Sequence, residues 1–327
     1  MEKIFEIKNL KKYFPVKKQK LFKKEKFLKA LDGIDLEIYK GETLGLVGES
    51  GSGKSTLGKC ITGIHDISEG DVYFKGKNIK DKNTKKIMQN EIQAIFQDPY
   101  SSLNPTLTVY EIIAEPIKTR LKLSESETKK KVVKLLEKVG LSKEIINKKP
   151  SQFSGGQRQR IGIARAISTD PEFILCDEPI SALDVSIQAQ IVNLLEDLQK
   201  ELGLTYLFIA HDLAMVEHIS HRIGVLYLGN LVEIGKVKDI YENPMHPYTM
   251  ELLNSVLKPE VNKKKILTNS NKEIPSSIDL PAGCVFQGRC PYKTDICLKE
   301  CPKLIEVSPG HKVSCHNIEK FGTCKKI

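Results

Sequence analysis

Nine residues constrain this chain more than any others. Residues 48–56 read Gly48-Glu49-Ser50-Gly51-Ser52-Gly53-Lys54-Ser55-Thr56, which fits G-x-x-x-x-G-K-[ST]. The run before it, 43–47 (TLGLV), is apolar and suits a buried strand, and 54–64 reads as a helix. Strand, glycine loop and helix follow in the order that a phosphate-binding loop requires. Glycines let the backbone wrap an anion closely because no Cβ intrudes, and the free N–H groups at the helix start face it with the positive end of the helix dipole. In such a loop Lys54 reaches the β- and γ-phosphates and the Ser55 hydroxyl holds Mg²⁺. Gly48 to Thr56 are therefore the candidate nucleotide-binding residues.

The rest of the chain reads as α/β. Residues 3–8, 34–38, 71–75 and 92–96 read as strands, as do the buried runs 173–177 (FILCD) and 205–210 (TYLFIA). A hairpin is expected from 223–228 and 230–234 around Gly229-Asn230. Helices are expected at 157–168 and 185–202, the latter with Ile191, Leu194, Leu195, Leu198 and Leu202 on one stripe. From about 106 to 150 the pattern is helical, with Val132, Val133, Leu135, Leu136 and Val139 at helical spacing and Pro150 as its stop. Strands alternating with helices imply a mainly parallel sheet, with 106–150 as a helical insertion.

Two further constellations belong with the loop. The strand 173–178 ends in Asp177-Glu178, where Asp177 can bind Mg²⁺ and Glu178 can polarise an attacking water. Residues 154–158 read Ser154-Gly155-Gly156-Gln157-Arg158 and open a helix, a second anion-binding pattern. One phosphate loop and a second phosphate-type site in one chain suggest nucleotides shared between two chains.

These motifs resemble, in order over 1–257, those of the ATP-binding cassette ATPases. GESGSGKST resembles the Walker A loop, FILCDE the Walker B strand, and FSGGQRQR the signature, with Phe153 where Leu is usual. Gln97 matches the Q-loop, SALD (181–184) the D-loop and His211 the switch histidine. The resemblance implies a P-loop nucleotide-binding domain with a mixed sheet core and a helical subdomain at about 106–168. It implies two such domains packed head to tail with ATP between them. Glu178 is then the general base, His211 the γ-phosphate sensor, and Gln97 a contact to Mg²⁺ and water. Ser55, Gln97 and Asp177 hold Mg²⁺. Ser154, Gly155, Gly156, Gln157 and Asp184 serve the nucleotide of the other domain. Tyr13 is the expected adenine-stacking residue, with Phe14 its rival.

Within that family QDPYSSLNP (97–105), CDEPISALDVSIQAQ (176–190), NPMHPYT (243–249) and the tail PAGCVFQGRCPYKTDIC…VSCH (281–316) resemble the oligopeptide/dipeptide importer ATPases, a branch that includes nickel importers. KKYFPVKK (11–18) and the basic stretch after it suggest the second of the two ATPase subunits usual there. The branch implies import of oligopeptides or dipeptides, or alternatively of nickel or another small solute. It implies as partners a second homologous ATPase (heterodimer or homodimer), two membrane permeases and, indirectly, an extracytoplasmic binding protein. The expected location is peripheral, on the cytoplasmic face of the membrane. A soluble cassette ATPase acting on nucleic acid or ribosomes is the reading from another class.

Six of the eight cysteines fall in the last 44 residues, at 284, 290, 297, 301, 315 and 324. The expected organisation is an ATPase domain at 1–257, a polar linker at 258–280 and a Cys-rich module at 281–327. No secretory leader is expected from the charged opening residues, so the setting is reducing and the cluster leans toward metal. Cys284, Cys290, Cys297 and Cys315 match the branch's C-terminal module, which in some members is associated with an iron–sulfur cluster, and four thiolates can complete a [4Fe-4S] centre. Zinc with His311 or His316, simply reduced thiols, and substitution by Cys301 or Cys324 stay open.

Charge decides between partners. The formal net charge is +10, with +8 in residues 1–30, +6 in 258–327 and −4 between them. The catalytic stretch is mildly acidic, so nucleic acid is not expected as its partner. The Lys-rich segment 17–29 reads as a solvated loop or as a surface for anionic lipid headgroups. No apolar run approaches the roughly 18 residues that span a bilayer.

Overall fold

The computed structural model describes residues 2–16, 26–98, 100, 102–255, 277–278 and 280–321. Cys324, most of the Lys-rich segment and nearly all of the expected linker lie outside the described residues. The first half of the chain forms β1 (Lys3–Val16), β2 (Lys26–Tyr39), β3 (Thr43–Val47), α1 (Lys54–Ile61), β4 (Glu69–Phe74), β5 (Lys77–Asn78), α2 (Lys82–Glu91), β6 (Ile92–Ile95), α3 (Val109–Pro116), α4 (Glu125–Lys138) and α5 (Gly155–Ile167). The second half forms β7 (Phe173–Asp177), α6 (Val185–Leu202), β8 (Thr205–Ile209), α7 (Leu213–Ile219), β9 (Arg222–Tyr227), β10 (Asn230–Lys236), α8 (Val237–Glu242), α9 (Pro247–Ser255), α10 (Asp295–Lys299), β11 (Ile305–Ser308) and β12 (His311–Val313). The chain divides into two compact units that interleave in sequence. One holds residues 1–4, 38–43 and 74–219, and the other 5–37, 44–73 and 220–327.

In the first unit β6, β7 and β8 run parallel, with Phe173 opposite both Ile92 and Thr205. Every residue of β7 and β8 is buried, which is why both read as unbroken apolar runs rather than alternations. Helix α6 buries Ile191, Val192, Leu195, Leu198 and Gln199. Leu202, expected on that stripe, is 41% exposed instead, next to the left-handed cap Gly203 that ends the helix. Gln199 earns its buried place by donating to Thr43 Oγ1 at 2.9 Å.

The helical stretch is capped rather than stopped by proline. Thr108 with Glu111, and Ser124 with Glu127, form reciprocal capping boxes that start α3 and α4. A π-turn over Ile117–Leu121 follows Pro116. The expected stop at Pro150 is wrong. Helix α4 ends at Lys138, because Gly140 adopts a φ of 71° and Arg160 Nη1 donates to Val139 O at 2.7 Å. Pro150 opens a short 3₁₀ turn, Pro150–Gln152.

In the second unit β3 and β9 are parallel, β9 and β10 antiparallel, and β10 continues through β12 to β11. The sheet is therefore mixed, and the Cys-rich tail extends it by two strands that sequence reading did not anticipate. The hairpin turns on Leu228-Gly229, not Gly229-Asn230, because Asn230 pairs with Tyr227. Both central residues have positive φ, 44° and 75°, as a two-residue hairpin needs.

A buried carboxylate ties this unit together. Glu233 on β10 is 0% exposed. It accepts the backbone N–H of Met245 at 2.8 Å, that of His246 at 3.0 Å, and a bond with His311 Nε2 at 2.8 Å. Tyr248 N–H donates to His246 Nδ1 at 3.1 Å, which requires that nitrogen unprotonated. Burial holds the His246 imidazole down at about 4, opposed by the Glu233 charge. The unfolded chain takes up this proton near 6.5 and the folded chain near 4, so the associated stability is present above 6.5 and lost toward 4. Between pH 6.5 and 4.5 the wild-type chain is expected to lose about 2–3 kcal/mol more stability than His246→Asn, which keeps an acceptor but cannot titrate. Urea unfolding at the two pH values checks this, and parallel losses in both proteins would contradict it.

Candidate functional site

The loop after β3 takes the form its sequence calls for. Gly48, Gly51 and Gly53 have φ of 148°, 77° and 105°. Two of them are also fixed by space. A Cβ on Gly48 would stand 2.2 Å from Leu226 O, and one on Gly53 would stand 2.5 Å from Ala30 O. Gly53 caps α1, and Leu57 N–H returns to its carbonyl at 2.8 Å. Ser52 is buried, and its carbonyl accepts Gly229 N–H at 2.9 Å, pinning the loop to the hairpin. Lys54 is 4% exposed. Its Nζ curls back to donate to Gly48 O at 2.7 Å and Glu49 O at 3.0 Å, so a cation stands inside the glycine arch. That is an arrangement for gripping a polyphosphate.

Tyr13 lies in the same unit. Its hydroxyl donates to Asp32 Oδ1 at 2.5 Å, Lys29 Nζ lies 5.6 Å from the ring centroid, and Ser68 Oγ accepts its backbone N–H at 3.0 Å. Burial and Asp32 push its phenol well above the usual range. Phe14 is engaged edge-on with His65 at 5.8 Å and under Lys12 at 4.8 Å.

The carboxylates lie in the other unit. Asp177 ends β7 and is 7% exposed. Glu178 follows at a φ of 52°, a left-handed conformation that costs a non-glycine residue energy, and its N–H donates to Ile209 O at 2.9 Å. The turn aims its side chain at His211, whose Nε2 stands 2.5 Å from Glu178 Oε1. Asp212 accepts Ala214 N–H at 2.8 Å, so the loop that carries His211 is anchored at the start of α7. Gln97 is exposed just past β6.

Ser154 starts α5 by a capping box with Gln157. A Cβ on Gly156 would stand 2.6 Å from Ile187 Cγ2, and one on Gly155 would stand 3.2 Å from Leu183 Cδ2. Packing against the start of α6 thus demands Gly156 independently of any anion. Asp184 is exposed at the N-cap of α6. The structure therefore brings Glu178 to His211, and Gly155 and Gly156 to the segment around Asp184.

Cys284, Cys290, Cys297 and Cys315 are all free thiols, and Cys284 interacts electrostatically with the other three. Burial pushes Cys284 up to about 12 and Cys315 to about 11. Backbone hydrogen bonds from Phe286, Tyr292 and Asn317 oppose that rise at Cys284, Cys290 and Cys315. Among the described residues no group of three or more His, Cys, Asp or Glu side chains has metal-holding geometry. His311 Nε2 bonds with Glu233 and His316 Nε2 with Glu300 O at 3.0 Å, and neither histidine belongs to a group of three or more metal-holding side chains among the described residues.

Sequence reasoning missed two residues at the loop. Tyr248 Oη accepts Glu49 N–H at 2.8 Å, and Arg289 grips the Glu49 carboxylate. NPMHPYT and GRC marked both stretches without indicating what they touch.

Comparison with known proteins places these features. The family described as "ABC transporter" matches residues 31–181, and "Oligopeptide/dipeptide transporter, C-terminal region" matches 232–297. The chain is 47% identical to the oligopeptide transport ATP-binding protein AppF of Bacillus subtilis, covering 96% of this chain and 97% of that one. It is 48% identical to OppF of Escherichia coli, covering 97% and 96%. It is 46% identical to the dipeptide transport ATP-binding protein DppF of Haemophilus influenzae, covering 95% of each. Among solved structures, the dimeric ATP-binding cassette MJ0796 in a post-hydrolysis state with ADP and Pi matches with a TM-score of 0.63 at 32% identity, over 71% of this chain and 98% of that one. CbiO1 of Clostridium perfringens, part of the transporter complex cbiONQ, matches with a TM-score of 0.65 at 27% identity, over 79% and 96%.

The contact of Gly48 with Leu226 O makes a direct test. Gly48→Ala is expected to lower stability by roughly 2–4 kcal/mol and to abolish the rise in melting temperature on adding Mg-ADP. Calorimetry with and without nucleotide reads both effects, and an unaltered response to nucleotide would contradict the assignment.

Proposed function

This chain belongs to the ABC transporter family, in its oligopeptide/dipeptide branch, and we propose that it is the ATP-hydrolysing subunit that energises import of oligopeptides or dipeptides. Two ATPase domains work together on membrane permease subunits. We take the second domain to be a homologous ATPase in a heterodimer, with an extracytoplasmic binding protein delivering cargo to the permeases. The chain is then peripheral, on the cytoplasmic face. No helix among the described residues is long and apolar enough to cross a membrane. The relatives named for oligopeptide and dipeptide transport, 46–48% identical over nearly the whole chain, favour peptide over nickel as cargo.

The observation that carries hydrolysis is the Glu178–His211 pair at the tip of β7. Glu178 is the general base that takes a proton from the attacking water, and His211 orients it and senses the γ-phosphate. Lys54 and the loop N–H groups of residues 48–56 bind the phosphates, and Tyr13 stacks on adenine. Ser154, Gly155, Gly156, Gln157 and Asp184 complete the nucleotide site of the partner domain. Ser55, Gln97 and Asp177 would hold Mg²⁺, for which a buried carboxylate at a strand end is a fitting donor. When bound, Mg²⁺ neutralises charge on the phosphate oxygens.

Glu178→Gln is expected to keep ATP binding and to lower turnover at least about a hundredfold. ATPase assays on the assembled transporter, beside fluorescent-nucleotide binding, check this, and near-normal turnover would refute the assigned base.

We also assign a [4Fe-4S] cluster to Cys284, Cys290, Cys297 and Cys315. The resemblance of these four cysteines to the branch's C-terminal module and their mutual electrostatic interaction support it, and iron would have to overcome the burial that raises Cys284, Cys290 and Cys315. Such a cluster would cross-link the tail. Anaerobic purification is expected to yield a brown protein with about four irons and four sulfides per chain. A colourless, iron-free protein after reconstitution leaves simply reduced thiols.

A further inference from the structure

The second residue of the phosphate loop is a glutamate. A carboxylate beside a polyphosphate site opposes binding unless its charge is answered. Here it is answered from the far end of the chain. Arg289 Nη1 donates to Glu49 Oε2 at 2.9 Å and Nη2 to Oε1 at 2.8 Å, a two-pronged fork. Nη2 also reaches Glu251 Oε1 on α9 at 2.5 Å. The Arg289 side chain is 10% exposed, and the carboxylates of Glu49 and Glu251 are 27% and 14% exposed. The guanidinium is cradled by aromatic rings, with its Cζ 5.6 Å from the Phe286 centroid, 5.7 Å from Tyr227 and 6.0 Å from Tyr248. Tyr248 in turn accepts the Glu49 N–H. Both the main chain and the side chain of Glu49 are thus held by residues from beyond 247. Arg289 is itself placed by the tight turn 284–290, where its N–H and that of Cys290 both donate to Phe286 O at 3.0 Å.

We propose that Arg289 is a positioning residue of the ATP site, neutralising Glu49 and fixing the phosphate loop, so that the cysteine-rich tail is a working part of nucleotide binding. This rests on the ATPase reading above. Without Arg289, Glu49 and Glu251 present two unanswered carboxylates next to the loop, and the charge of Lys54 is partly spent against them.

The test is nucleotide binding by the full chain, read with a fluorescent ATP analogue and Mg²⁺, together with KM and kcat of the assembled transporter. Arg289→Ala is expected to weaken binding about tenfold and to raise KM with little change in kcat, since a ground-state contact is lost. Adding Glu49→Gln to Arg289→Ala removes the unanswered charge that lies within the loop itself and is expected to restore affinity to within about threefold of wild type. A merely structural role for Arg289 predicts no such rescue. Affinity of Arg289→Ala within about twofold of wild type overturns the proposal, as does a loss that Glu49→Gln leaves unrelieved. Should Arg289→Ala fail to fold, Arg289→Gln, which keeps a stem over the rings, is held to the same two outcomes. A wild-type chain that binds no nucleotide overturns the ATPase reading and this inference with it.

Discussion

The arch of residues 48–53 is the constraint on which the second unit turns. Its glycines do more than tolerate left-handed φ. At Gly48 and Gly53 no other residue fits, because a Cβ there would run into the carbonyls of Leu226 and Ala30. The hairpin after β9 completes the clamp, with Gly229 taking Ser52 O on one side and giving its own carbonyl to Asp32 N–H on the other. A loop wedged in this way is preorganised. Lys54 is held inside it by the loop's own carbonyls, so binding an anion does not require ordering a floppy chain first.

The same reasoning explains why the tail belongs to this unit. β12 pairs with β10, and the buried Glu233 satisfies two backbone donors and His311 at once. A carboxylate at 0% exposure is tenable because each of those bonds is made, and losing one partner would leave charge in a dry site. From that fixed point the chain presents Tyr248 and Arg289 to Glu49. In the other unit the strain is local. Glu178 accepts a left-handed backbone at the tip of a fully buried strand, and the result is a carboxylate aimed at His211.

Much of this was legible in the sequence. β3, β7 and α6 have the boundaries expected, because apolar runs of strand length and a helical stripe carry their own period. Elements set by capping were read less well. α5 begins two residues earlier than expected because Ser154 and Gln157 cap each other, and α4 ends at Lys138, just before the left-handed Gly140, rather than at Pro150. α2 was not anticipated, since its ten residues bury only Thr84 and Met88. The hairpin turns one residue earlier than composition implies because Leu228 occupies a left-handed position that glycine or asparagine usually takes.

What the sequence by itself determined is the chemistry: a glycine arch with Lys54 and Ser55, an acid pair closing a buried strand, and a capped glycine turn. Those motifs are local, and their order and spacing specify the family. What the tertiary structure alone decided is who stands beside them. Glu49 and Arg289 are 240 residues apart, and no periodicity or motif links them. His311, one of two histidines open as zinc ligands in the sequence, proves to be the buried partner of Glu233. The reason is physical: ion pairs and buried hydrogen bonds depend on distance and desolvation, which the chain acquires only when its strands pair.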